Sequence, residues 1–218
     1  MKNKLIAIII SVVVLAGLFF IGSSFYKKSE QERLGSLATE NSKLFAPDYS
    51  PVFGEKEAKV VITEFLDPEC ESCSMFYPKV KKLLEMYKGK VKLVVRYAAF
   101  HGNSVHAIKV LEATRIQNKY WESLDLLFKK QPEWASHHDP KPFLVFTILK
   151  EIGINIEQLK KDMENPKTME IIAGDAQGLK ELKVQGTPTF FVNGKPLENF
   201  GMGYLYSAVA MAVAESYK

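Results

Sequence analysis

Cysteine is scarce in this chain: its 218 residues contain two, alongside four histidines. Two cysteines exclude a disulfide framework, and a zinc site normally needs four ligands. No second Cys-x-x-Cys is present, and His137-His138 lie far along the chain in a stretch containing Asp139-Pro140. No metal is expected. The folded part also lacks a positive surplus. The formal charge of +4 is carried by Lys2, Lys4, Lys27 and Lys28, because residues 1–28 contain no acid and the remainder balances. Nucleic-acid binding wants a basic face on a folded domain, so no nucleic-acid partner is expected. Internal repeats and low-complexity tracts are absent as well.

What the chain does have is an uncharged run from Leu5 to Tyr26, flanked by the four lysines. As a helix, about 20 residues cross a bilayer's hydrocarbon core. Such a run without a polar face predicts a membrane anchor over residues 1–28. A cleavable signal peptide is the alternative, with Gly22-Ser23-Ser24 as a small-residue site. Lysines at the N-terminus favour a cytoplasmic start. Either version exports the rest of the chain to the outer (periplasmic) side of a bacterial cytoplasmic membrane, where a disulfide persists. Residues 29–46 are polar and read as a linker, open to being partly helical, that lifts the domain off the membrane. Leu34, Leu37 and Leu44 are too few for sustained heptads, which leaves a homodimer through this segment open.

A folded domain is expected over 47–218. Val60–Leu66 reads as a buried strand, Asp67-Pro68-Glu69 as a turn, and Cys70 to about Lys88 as a helix broken at Pro78. Val91–Tyr97 comes next as a second strand, parallel to the first. Between about 103 and 182 the spacing is helical: Val105–Gln117, Tyr120–Lys129, Phe143–Ile152 and Met169–Leu182, with breaks at Gln131-Pro132, Asp139-Pro140 and Gly153. A strand at Thr189–Val192, an Asn193-Gly194 turn, a short returning strand and a helix from about Tyr204 complete the chain. Strand, helix, strand, a block of helices, then hairpin and helix describe an α/β thioredoxin-like fold carrying a helical insertion.

The two cysteines form Cys70-Glu71-Ser72-Cys73. Structural half of a metal site, inert buried thiols and a redox couple all fit such spacing. Ligand count argues against the first, and a disulfide closing so short a loop adds little stability. A redox couple has a mechanism: at a helix N-terminus the first thiolate faces unpaired amides, and the second thiol lies one turn deeper. Cys70 is then the nucleophile and Cys73 the resolving thiol.

Together with Ser50-Pro51-Val52-Phe53-Gly54, Glu64-Phe65, Asp67-Pro68, His101-Gly102-Asn103-Ser104 and Gly186-Thr187-Pro188-Thr189-Phe190-Phe191, the pair resembles the DsbA-like family of thioredoxin-fold oxidoreductases over about residues 50–218. The resemblance is to its membrane-tethered and isomerase-related members in particular. It implies that Pro188 is a cis-proline facing the cysteines, with the Thr187 backbone pairing with an extended substrate. Glu64 would relay a proton to or from Cys73; a strand-edge glutamate facing water is the alternative. Pro78 would be the family's helix-kinking proline. No cofactor is implied. The partners implied are cysteine-containing exported proteins, a membrane redox partner and the lipid bilayer.

One position departs from the family. Strong oxidases often carry a histidine just before the second cysteine; this chain has Ser72, preceded by Glu71. A nearby carboxylate disfavours a second negative charge, so Glu71 and Ser72 predict a milder couple. The direction of exchange (oxidase, reductase or isomerase) stays open, as do a noncatalytic chaperone on the same fold and a metal-delivery role. His101 and His106 flank the start of the helical block, either near the pair or capping a turn, and Trp121 and Trp134 read as core.

Overall fold

In the computed structural model, which describes residues 2–136 and 138–218, a long helix precedes a five-stranded mixed sheet. The strands are β1 (Val52–Phe53), β2 (Val60–Leu66), β3 (Val91–Tyr97), β4 (Thr189–Val192) and β5 (Lys195–Pro196), in the order β1-β3-β2-β4-β5. β2 and β3 are parallel and in register from Val60↔Val91 to Leu66↔Tyr97; the other pairs are antiparallel. Helix α1 spans Lys2–Glu40 and α2 Glu71–Met86. The insertion holds α3 (Ser104–Ile116), α4 (Tyr120–Lys129), α5 (Gln131–Trp134), α6 (Leu144–Lys150), α7 (Ile156–Asp162) and α8 (Pro166–Glu181). Helix α9 (Met202–Ser216) closes the fold.

Side chains alternate across a strand, and here both faces are covered. Val60, Ile62 and Leu66 of β2 join Leu93, Val95, Phe190 and Val192 in the larger core, which α2, α9 and the insertion complete. Phe65 and Phe191 point the other way, into a smaller core with Leu34, Leu44, Phe45, Ala98, Leu182 and Val184.

Three expectations need correcting. Helix α1 does not stop at residue 28: the stretch expected as a linker continues it to Glu40, and Leu34 is buried against the sheet. Arg33 reaches the Glu181 carbonyl (3.4 Å), and Glu30 pairs with Lys183 (3.0 Å). Helix α2 runs unbroken through Pro78, which lies on its exposed side. The break at Gln131-Pro132 is the start of α5, since proline is well placed in a first helical turn. Helix α7 was not expected; Asn155 caps it, accepting from the Gln158 amide (3.1 Å). Among the described residues, one helix, near the N-terminus, is long and apolar enough to cross a membrane.

Candidate active site

Strand β2 delivers the site. Its last residue, Leu66, leads into a turn in which the Cys70 amide donates to the Asp67 carbonyl (3.0 Å). Cys70 is then the N-cap of α2, and Cys73, fully buried, lies in its first turn. Both are free thiols in this structure. As a thiol, Cys70 donates to the Thr187 carbonyl (3.3 Å), and the Thr187–Pro188 peptide bond is cis. The β4–β5 hairpin, whose approach carries Thr187 at 117 residues from Cys70 in sequence, is thus brought onto the pair.

The two thiols have opposite electrostatics. A hydrogen bond from Cys73 is the largest influence on Cys70; burial opposes it, and the Thr187 side chain and the Cys73 and Ser72 amides reinforce it. The result lowers the Cys70 pKa to about 5, against 9.0 ordinarily. Burial pushes Cys73 far up, aided by its bond to Cys70 and the charge of Glu64. Glu64 is fully buried on the cysteine-facing side of β2, and neither carboxyl oxygen has a hydrogen-bond partner. Burial, then the Cys70 charge, raises its pKa to about 8. The water-facing alternative for Glu64 is thereby removed. Ser72 contributes its amide to Cys70, whereas Glu71 is exposed, so its charge acts through solvent.

Sequence reasoning missed what holds this turn in place. Asp67, read only as a turn residue, is completely buried. It accepts from the amides of Glu69 (2.9 Å) and Phe100 (2.8 Å) and from the Ser104 hydroxyl (2.6 Å), and it pairs with His101 Nδ1 (2.8 Å). Burial opposes charge on His101, but the Asp67 bond and charge, with smaller help from Cys70 and Glu69, raise its pKa overall. Glu69 accepts from the Asn103 amide (2.6 Å). Gln131 Nε2 donates to the carbonyls of Pro68 (2.9 Å) and Cys70 (3.1 Å). The Asp67 and Gln131 contacts span 37 and 63 positions, which no local pattern encodes. The other histidines stand apart: His106 packs edge-on between Phe143 and Phe146, His138 lines a pocket of about 220 Å³ beside Glu71, and His137 lies outside the described residues.

A low-pKa thiol at a helix start, a buried partner thiol, a buried acid behind them and a cis-proline in front make a disulfide-exchange geometry. Residues 47–202 match the family described as thioredoxin. This chain belongs to the DsbA-like family of thioredoxin-fold thiol–disulfide oxidoreductases. The DsbA-like chain is 30% identical over 205 residues to the probable disulfide bond formation protein D of Bacillus cereus, with 88% of this chain and 90% of that one covered. A thioredoxin-like oxidoreductase from Silicibacter pomeroyi superposes with a TM-score of 0.69 at 29% identity, covering 79% of this chain and 96% of the other. The oxidised BdbD structure from Bacillus subtilis gives 0.64 at 26% identity, covering 76% and 91%. The DsbA-like chain also matches the Na(+)/H(+) antiporters NhaA 3 of Salinispora tropica and NhaA of Herminiimonas arsenicoxydans, but spans only 22% and 23% of their lengths.

Proposed function

We propose that this protein is an exported, membrane-tethered oxidoreductase that donates disulfides to cysteine-containing envelope proteins. The observation that carries the direction is Cys70 at the N-cap of α2, where the Cys73 thiol and the Cys73 and Ser72 amides lower its pKa. A thiolate this stable favours the reduced pair and makes the disulfide a strong oxidant. Starting from the Cys70–Cys73 disulfide, a substrate thiolate attacks the Cys70 sulfur and Cys73 leaves as a thiolate. Glu64, whose burial favours the protonated form, supplies the proton Cys73 needs. The substrate's second thiolate then attacks the mixed disulfide and Cys70 departs as a thiolate. Substrate loses two electrons, and the pair gains them. Thr187 and Pro188 hold the substrate's extended backbone beside Cys70. A membrane redox partner reoxidises the pair, and α1 provides the anchor.

The test is trapping. Cys73→Ala in cells should accumulate mixed disulfides on Cys70 that reducing agent releases, and Cys70→Ala should accumulate none. A chain that keeps its cellular phenotype as Cys70→Ala, with nothing trapped by Cys73→Ala, is a binding module instead.

A further inference from the structure

We infer that the docking of α1 turns the cysteine-bearing end of the sheet toward the bilayer and holds Cys70 near the level of the lipid headgroups. That is the level at which the membrane redox partner proposed above would meet the pair. The inference rests on the anchor reading above.

The contacts of α1 fix its course across the sheet. At one end, a Cβ placed on Gly194 would come within 2.0 Å of Ala38. Gly194 lies just beyond β4, whose Val192 pairs with Ile62, so Ala38 lies at the end of β2 remote from Cys70. At the other end, Glu30 holds Lys183, whose Nζ also lies 5.9 Å from the centre of the Tyr26 ring. Lys183 begins the connection that leads to Thr187, the residue touching Cys70. Between these ends Leu34 joins the smaller core that holds Phe65, from the cysteine-proximal end of β2, and Ala98, just beyond β3. Helix α1 therefore crosses the sheet from the cysteine end, at Tyr26, to the opposite end, at Ala38.

The lengths agree. From Tyr26 to Ala38 a helix rises about 18 Å at about 1.5 Å per residue, and the seven residues of β2 extend about 20 Å at about 3.3 Å each. Tyr26 is thus level with the cysteine end. It is also the last residue of the uncharged run, and Lys27 and Lys28 come directly after it. Tyrosine and lysine in that order mark a membrane–water boundary. Traced toward its N-terminus, α1 leads the apolar run past the cysteine end and away from the rest of the sheet. Cysteines facing away from the bilayer would require α1 to cross in the opposite sense.

Depth measurement tests this. The full chain, with Cys70→Ser and Cys73→Ser, carries one fluorophore on Gly102→Cys, beside His101, or on Glu57→Cys, just before β2. Gly102 is exposed, and a Cβ there meets nothing within 4 Å. Each protein is reconstituted into phosphatidylcholine–phosphatidylglycerol vesicles containing a headgroup nitroxide. Quenching is expected to be several-fold stronger at 102 than at 57, and Leu34→Asp or Lys183→Glu should reduce the difference. Equal quenching, or stronger quenching at 57, in carbonate-resistant vesicles overturns the orientation and leaves the anchor standing. A difference that survives both docking variants also overturns it. Release of the protein by carbonate overturns the anchor reading and this inference with it.

Discussion

At Glu64 the alternation of β2 brings an acid to the apolar face of the sheet. Ile62 and Leu66, two positions to either side, are core residues, so the same register that builds the core buries the carboxyl beside Cys73. Its pKa of about 8 lies above the ordinary 4.5, so the fold favours the protonated form. That contribution is complete below about pH 4.5 and is lost as pH rises through 8. In the reduced proteins, Glu64→Gln should therefore match the parent near pH 5. By pH 9 it should be more stable on the order of a few kcal/mol. Urea unfolding at the two pH values measures this, and parallel pH profiles would show that the carboxyl is not held neutral. Glu64 was legible because its strand neighbours are apolar. Asp67 was not: a buried aspartate and a solvated turn aspartate look alike in sequence, and apart from the Glu69 amide the groups that satisfy this one, Phe100, His101 and Ser104, lie over thirty positions away.

Elements were legible where periodicity was long. β2, β3 and β4 alternate or run apolar for their whole lengths, and α3, α4 and α8 show helical spacing, so all six were found. Helix α7 offers only Ile156 and Leu159 as apolar positions, too few to show a period, and its asparagine cap was the one other signal. The second half of α1 failed differently. Leu34 and Leu37 are too sparse for a coiled coil, yet the docking needs little more than Leu34 in the smaller core and two charged contacts. Helix α8 depends on missing side chains. Arg96, 2% exposed, pairs with Asp175 (2.7 Å), donates to the carbonyls of Gly174 (3.0 Å) and Leu44, and stacks on Phe65. A Cβ on Gly178 would lie 2.3 Å from this guanidinium. Alanine there gains helix propensity but displaces a buried, paired cation. The net expectation for Gly178→Ala is a loss of roughly 2 kcal/mol in urea unfolding; a neutral or stabilising result would mean Arg96 has room to move.

For the whole molecule, the redox state and the fold are linked through Cys70. Its thiolate contributes stability to the reduced protein that is present above the ordinary thiol pKa of 9.0 and is lost as pH falls through about 5. The disulfide form has no such group, and its short loop offers little stabilisation in exchange. Reduced protein should melt above oxidised protein at pH 7, with the gap closing as the pH approaches 5. Calorimetry on both forms decides it; an oxidised form that melts higher at pH 7 would contradict the proposed direction of exchange.

Gln131 gives the insertion a standing beyond decoration of a smaller fold. One amide group, from the first position of α5, grips the backbone on both sides of Glu69. A chain trimmed of residues 103–182 would retain both cysteines, Glu64 and the cis-proline, but the turn presenting Cys70 would lose this two-point clamp and the Ser104 contact to Asp67. The redox loop is built jointly by core and insertion, and the two are one mechanical unit.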